Sequence, residues 1–175
     1  MAVRTLERTL EEVLLPALDL ASSRPGDDFA LEYSCRWSSG WLHGARRLSP
    51  PASRDEGILL LDSGPALSLE AVHAQALELC LRRAGFRVLL LSAELAERRF
   101  GAALRALQPS AVVLCGSDAR LDVLGDPLRK AMGTGRTRPF SYRSAQLVSG
   151  SQGISQLGDV PSEAVARLMH SLGLL

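Results

Sequence analysis

Between residues 57 and 117 the chain alternates short, wholly apolar runs with longer amphipathic ones. Gly57-Ile58-Leu59-Leu60-Leu61-Asp62-Ser63, Phe86-Arg87-Val88-Leu89-Leu90-Leu91-Ser92 and Ala111-Val112-Val113-Leu114-Cys115-Gly116-Ser117 are each seven residues long and stop at a small polar residue. Runs of this kind read as strands buried on both faces of a parallel sheet. The stretches between them, 68–84 and 94–107, carry helical spacing, and a further helix is expected over 119–132. Gly85 stops the first of these helices and Pro109 helps to end the second. A weaker strand is expected from Pro139 to Ser144 and a short edge strand over Ile154–Leu157. The last amphipathic helix, 161–172, turns Val165, Leu168 and Met169 inward. Five strands with right-handed crossovers give a doubly wound α/β sheet in the order 2-1-3-4-5.

Two helices precede the sheet. Over 3–21, Leu6, Leu10, Val13, Leu14, Leu18 and Leu20 recur near helical spacing opposite Arg4, Glu7, Arg8, Glu11 and Glu12, with Pro16 expected to kink or divide the helix. A second helix, 28–47, holds Phe29, Leu31, Tyr33, Trp37, Trp41 and Leu42. Residues 49–56, rich in Pro and Ser, read as a linker between a helical unit (1–48) and an α/β domain (57–175). No internal repeat is evident.

Composition narrows the function classes. The 175 residues are 46% hydrophobic with a net charge of +1, enough apolar content for a core and too little charge to draw the chain to nucleic acid or anionic lipid. Lys130 is the only lysine, a bias attributed to genome composition. No run approaches the roughly 18 apolar residues of a membrane span, and Met1-Ala2-Val3-Arg4 opens no signal peptide, so a cytoplasmic protein is expected. Cys35, Cys80 and Cys115 are odd in number and widely spaced, which indicates neither a disulfide framework nor a zinc site; Cys80 and Cys115 are read as small buried hydrophobes.

Doubly wound sheets bind ligands at the carboxyl ends of their strands, so Ser63, Ser92 and Ser117 mark the edge to inspect. Ser63-Gly64-Pro65 and Gly116-Ser117-Asp118 sit where a phosphate loop would, yet have one glycine each and no Lys-Ser/Thr pair; tight turns are the preferred reading. Glu70 and His73, three residues apart, share a helix face near the same edge and could bind a metal or move a proton. No third ligand has a recognisable spacing, so an exposed polar helix face is preferred. His43 and His170 stand alone, and acidic residues are scattered singly. Four of the chain's few aromatics, Phe29, Tyr33, Trp37 and Trp41, cluster on one helix. They are read as core between the helical unit and the sheet, with a ligand lid or a partner anchor as the alternative.

A small helical unit followed by a flavodoxin-like, Rossmann-like sheet resembles the cobalamin-binding (B12-binding-like) module, above all the sensor domain of MerR-type transcription regulators. Ala76-Leu77-Glu78-Leu79-Cys80-Leu81-Arg82-Arg83-Ala84-Gly85-Phe86-Arg87-Val88 is similar to that family's helix into the second strand. Gln108-Pro109-Ser110-Ala111-Val112-Val113-Leu114 is similar to its run into the third. The likeness covers roughly 27–159. The family's Asp-x-His-x-x-Gly loop, which supplies the cobalt-binding imidazole, falls on Ser68, Glu70 and His73, so a carboxylate stands where the histidine belongs. Cys115-Gly116-Ser117 replaces the Ser-x-Leu signature, and paired glycines after the fourth strand are not evident near Tyr142. Of the Trp-x9-Glu-His pattern only Glu32 remains, with Tyr33 at the histidine position.

What the resemblance implies is a scaffold without its cofactor, cobalamin included. A non-catalytic regulatory or sensor module is therefore expected, acting by association with another protein or with itself. A DNA-binding domain would lie on a partner or elsewhere in a longer product, because no basic recognition helix is present and no direct nucleic-acid contact is expected. The alternatives are a sensor holding a tetrapyrrole or other small molecule between Trp37, Trp41 and the strand edge, and an enzyme acting on a phosphorylated or nucleotide-like substrate at Ser63-Gly64 and Gly116-Ser117.

Overall fold

The structure, a computed structural model, describes residues 5–24, 26, 28–92, 97–117, 137–145 and 154–175. Five strands, β1 (Gly57–Asp62), β2 (Arg87–Ser92), β3 (Ala111–Cys115), β4 (Arg138–Ser141) and β5 (Ser155–Gln156), form an all-parallel sheet ordered β2-β1-β3-β4-β5. The expected α/β architecture and strand order are therefore found. Leu59 pairs in register with Leu89 on one side and Val112 on the other, placing the most apolar runs at the centre. Strand β2 is an edge strand and only half-buried, unlike the two-sided burial expected of its apolar run.

The helices are α1 (Leu6–Thr9), α2 (Leu15–Ser22), α3 (Asp28–Arg47), α4 (Leu69–Arg83), α5 (Glu97–Leu107) and α6 (Pro161–Leu172). The helix expected over 119–132 lies outside the described residues. Because side chains alternate across a strand, Ile58, Leu60, Val113, Cys115 and Phe140 pack toward α4 and α6. Leu59, Leu61, Val112 and Leu114 pack with Leu104 and Leu107 of α5 on the other face. Cys35, Cys80 and Cys115 are buried and unpaired, as small hydrophobes are; burial pushes the Cys80 thiol up to about 12.

Between α1 and α2 the chain winds as a π-helical turn, Leu10–Leu14, closed by the Leu15 N–H donating to the Leu10 carbonyl. Pro16, in the first turn of α2, has no N–H to continue an α-helical ladder, and the wider turn accommodates it without breaking the helix. The π turn inserts a residue into the helical repeat. The inward face consequently runs Leu6, Leu10, Leu15, Leu18, and the expected core residues Val13 and Leu20 turn outward.

Helix α4 is the centre of the molecule. Ten of its fifteen residues are buried because the sheet and α6 cover part of it while α2 and α3 cover the rest. A helix apolar around most of its circumference needs such covering. The helical unit thus lies on the outer side of α4. Arg46 of α3 donates to both carboxylate oxygens of the buried Glu78 at 3.1 and 3.3 Å, and Arg82 donates to one at 2.9 Å. The linker is held where Ser53 and Arg54 N–H groups donate to the Gly85 carbonyl.

Candidate functional site

The ends of β1 and β3 meet in a tight polar junction. Ser63 N–H donates to the Cys115 carbonyl at 3.0 Å and its hydroxyl donates to the same oxygen at 3.2 Å. Gly64 N–H donates to Asp62 Oδ1 at 2.9 Å. Gly116 takes φ +90°, and a Cβ there would sit 2.5 Å from Ser63 Oγ and 3.0 Å from Gly64 N. Glycine is thus required both by conformation and by the close approach of the β1 turn. Ser117 is exposed just beyond. The two amides of the β1 turn are occupied: Ser63 by a backbone carbonyl, Gly64 by a carboxylate that would repel an anion.

Asp62 was not singled out by the sequence, yet it is the most perturbed acid of this edge. It ends a buried strand, and burial pushes its carboxyl up to about 6, against the Gly64 N–H and reinforced by the nearby Glu70 charge. Glu70, half-buried in the first turn of α4, lies close enough to couple to it. Two acids expected to be solitary are therefore neighbours. Ser68 caps α4 by accepting from the Ala71 N–H at 3.1 Å.

His73 is not on an exposed polar face as expected; it is buried, 2% accessible. Its Nε2 lies 3.2 Å from Asp19 Oδ1 and its Nδ1 3.2 Å from Arg143 Nη1. Arginine can only donate, so Nδ1 accepts, Nε2 carries the proton and donates to Asp19, and the ring is neutral. Burial first, then the Arg143 guanidinium, hold the imidazole below its ordinary range, against the pull of Asp19 and Glu70. Both nitrogens are committed to joining α2, α4 and the end of β4, leaving neither for cobalt or for proton transfer. Arg143 reaches this position from a left-handed backbone, φ +55°. A shallow cavity of about 180 Å³ opens beside the trio, bordered by Glu11, Asp159 and Pro161.

The aromatic cluster divides. Trp41 packs half-buried against the main core, whereas Phe29, Tyr33 and Trp37 are exposed, contrary to the core reading. The reason is angular: Cys35, Ser38 and Leu42 take the face of α3 that meets α4, and residues 29, 33 and 37 fall on the opposite side. Tyr33 and Trp37 flank a groove of about 380 Å³ that also has Leu14, Ala17, Leu18, Ser34 and Ser38 in its walls. That groove belongs wholly to the helical unit, so Trp37 does not lid the strand edge. Glu32 points outward in a 3.1 Å pair with Arg36.

Among the described residues, no group of three or more His, Cys, Asp or Glu side chains is placed to hold a metal ion, and no helix is long and apolar enough to cross a membrane. The fold defines the class: a doubly wound, Rossmann-like α/β protein with an N-terminal helical unit. No protein-family model matches the chain, and no curated protein is similar to it in sequence.

Proposed function

We propose that this chain is a non-catalytic regulatory module, a cobalamin-binding-like scaffold of the kind found in MerR-type transcription regulators, acting in the cytoplasm by protein association without a bound corrinoid. The observation that carries the reading is the exposed aromatic stripe Phe29, Tyr33 and Trp37 on α3, set against a β1 turn whose Ser63 and Gly64 amides are spent internally. Aromatic side chains held out of a core are what interface anchors are made of. The committed nitrogens of His73 support the absence of a cobalt ligand. A net charge of +1 supports a protein rather than nucleic acid as the partner, with any DNA contact made by another chain or domain.

One observation favours a second reading, a small-molecule sensor: the groove beside Tyr33 and Trp37 has the volume of a modest ligand pocket. Two measurements separate the readings. Titration with cobalamins, followed by absorbance, is expected to give no spectral change, and a corrinoid spectrum shifted by the protein overturns the first reading. A photo-crosslinking amino acid in place of Tyr33, irradiated in the native cell, is expected to give a protein adduct. Absence of any adduct overturns association through this face.

A further inference from the structure

The outer side of α3 carries more than aromatic rings. At 3.6 residues per turn, Phe29, Tyr33, Trp37, Gly40 and Gly44 all fall within about 80° of arc. The stripe is therefore divided along its length, with bulky rings on the first half and glycines on the second. A Cβ built at Gly40 or Gly44 meets nothing within 4 Å, so both are open notches on the surface. Alanine would serve a solitary helix better than either glycine.

The halves match each other. Phe29 and Gly44, and likewise Tyr33 and Gly40, are equidistant from a point between Arg36 and Trp37. A two-fold axis through that point lays Phe29 of one copy on Gly44 of the other and Tyr33 on Gly40, while Trp37, beside the axis, meets the other copy's Trp37. Charge does not oppose it: exposed Asp28 and Glu32, the latter paired with Arg36, fall about 140° and 100° from the centre of the stripe and lie outside the contact. The area agrees as well. Phe29, Tyr33 and Trp37 are 81%, 62% and 58% exposed, and Val13 and Leu20, at helical spacing with Ala17 along the neighbouring helix, are 46% and 58% exposed. With aromatic side chains of roughly 150–250 Å², the five present about 500–600 Å², most of the roughly 800 Å² each partner gives to a standard interface.

We propose that the occupant of this face is a second copy of the chain, its α3 packed antiparallel across a two-fold axis so that the rings of each copy fill the glycine notches of the other. This rests on the association reading above and names its partner. An isologous contact of this kind is self-complementary and closed.

Register-specific cross-linking tests it with the full chain. Tyr33→Cys and Gly40→Cys chains, mixed and oxidised, are expected to form a 33–40 disulfide between copies. Tyr33→Cys alone is expected to form little, because equivalent positions lie about 10 Å apart along the paired helices, beyond disulfide reach. The native cysteines are buried and give little background. Gly40→Leu/Gly44→Leu fills the notches on an exposed helix face without touching the core; sedimentation is expected to show dimer dissociation strengthened at least tenfold while the circular dichroism melt is preserved. A wild-type chain that sediments as one copy at tens of micromolar, or cross-linking as efficient in Tyr33→Cys alone as in the mixture, overturns self-pairing. A Tyr33 photo-adduct of a mass other than two chains overturns self-pairing while sustaining association; no adduct of any mass removes both.

Discussion

Replacing Asp62 with asparagine is expected to stabilise the protein, and to do so only where the acid would be charged. An ordinary aspartate titrates near pH 4 (roughly), whereas burial pushes Asp62 up to about 6. Holding the charge in this site therefore costs about 3 kcal/mol relative to the unfolded chain. The sign follows from the raised value: the folded state binds the proton more tightly than the unfolded state. Its stability contribution is complete below about pH 4 and is lost as pH rises through about 6. Asparagine keeps the oxygen that accepts from Gly64 N–H, has no charge to bury, and removes the repulsion between the Asp62 carboxylate and the Glu70 charge. Urea unfolding of both proteins across this range should show near equality at about pH 4 and an advantage to Asp62→Asn of up to about 3 kcal/mol near pH 8, or roughly 6–12 °C in melting temperature for a chain of this length. An asparagine variant no more stable than the parent near pH 8 refutes the reasoning, since the carboxylate must then have a compensating cation.

Two further outcomes follow from the same structure. Arg46→Ala or Arg82→Ala alone leaves the buried Glu78 one cation and should cost about 1 kcal/mol; the double variant strands the carboxylate and should cost about 3–5 kcal/mol. A double-mutant cycle by chemical denaturation checks this, and strict additivity contradicts it. Gly116→Ala forces a Cβ into Ser63 Oγ from a left-handed backbone and should lose about 1–3 kcal/mol; an unchanged thermal midpoint shows that the β1 and β3 turns are not locked together.

The site was less legible than the sheet, for reasons visible in particular residues. Ser63, Gly64, Gly116 and Ser117 were placed at the strand ends by the lengths of the apolar runs, but which N–H donates to which oxygen depends on how β1 and β3 turn beside one another. Asp62 carried a faint signal, an acid closing an apolar strand. Asp19 and Arg143 carried none: they lie 54 and 70 residues from His73, and no local spacing joins them. The histidine's burial could not be read from its helix, because α4 is covered on several sides and its polar positions are interior ones.

Strand and helix periodicity, small polar stops at strand ends and the right-handed crossover rule were enough to determine an α/β sheet ordered β2-β1-β3-β4-β5. These are local properties of the chain, or follow from its handedness. Which faces meet was decided only in three dimensions. A π turn at Leu10–Leu14 moved Val13 and Leu20 out of the core, and packing of Cys35, Ser38 and Leu42 against α4 turned Phe29, Tyr33 and Trp37 to the outside. Periodicity shows that a helix has two sides; only its neighbours choose which side is covered, because burial is a property of the assembled layers and not of the segment.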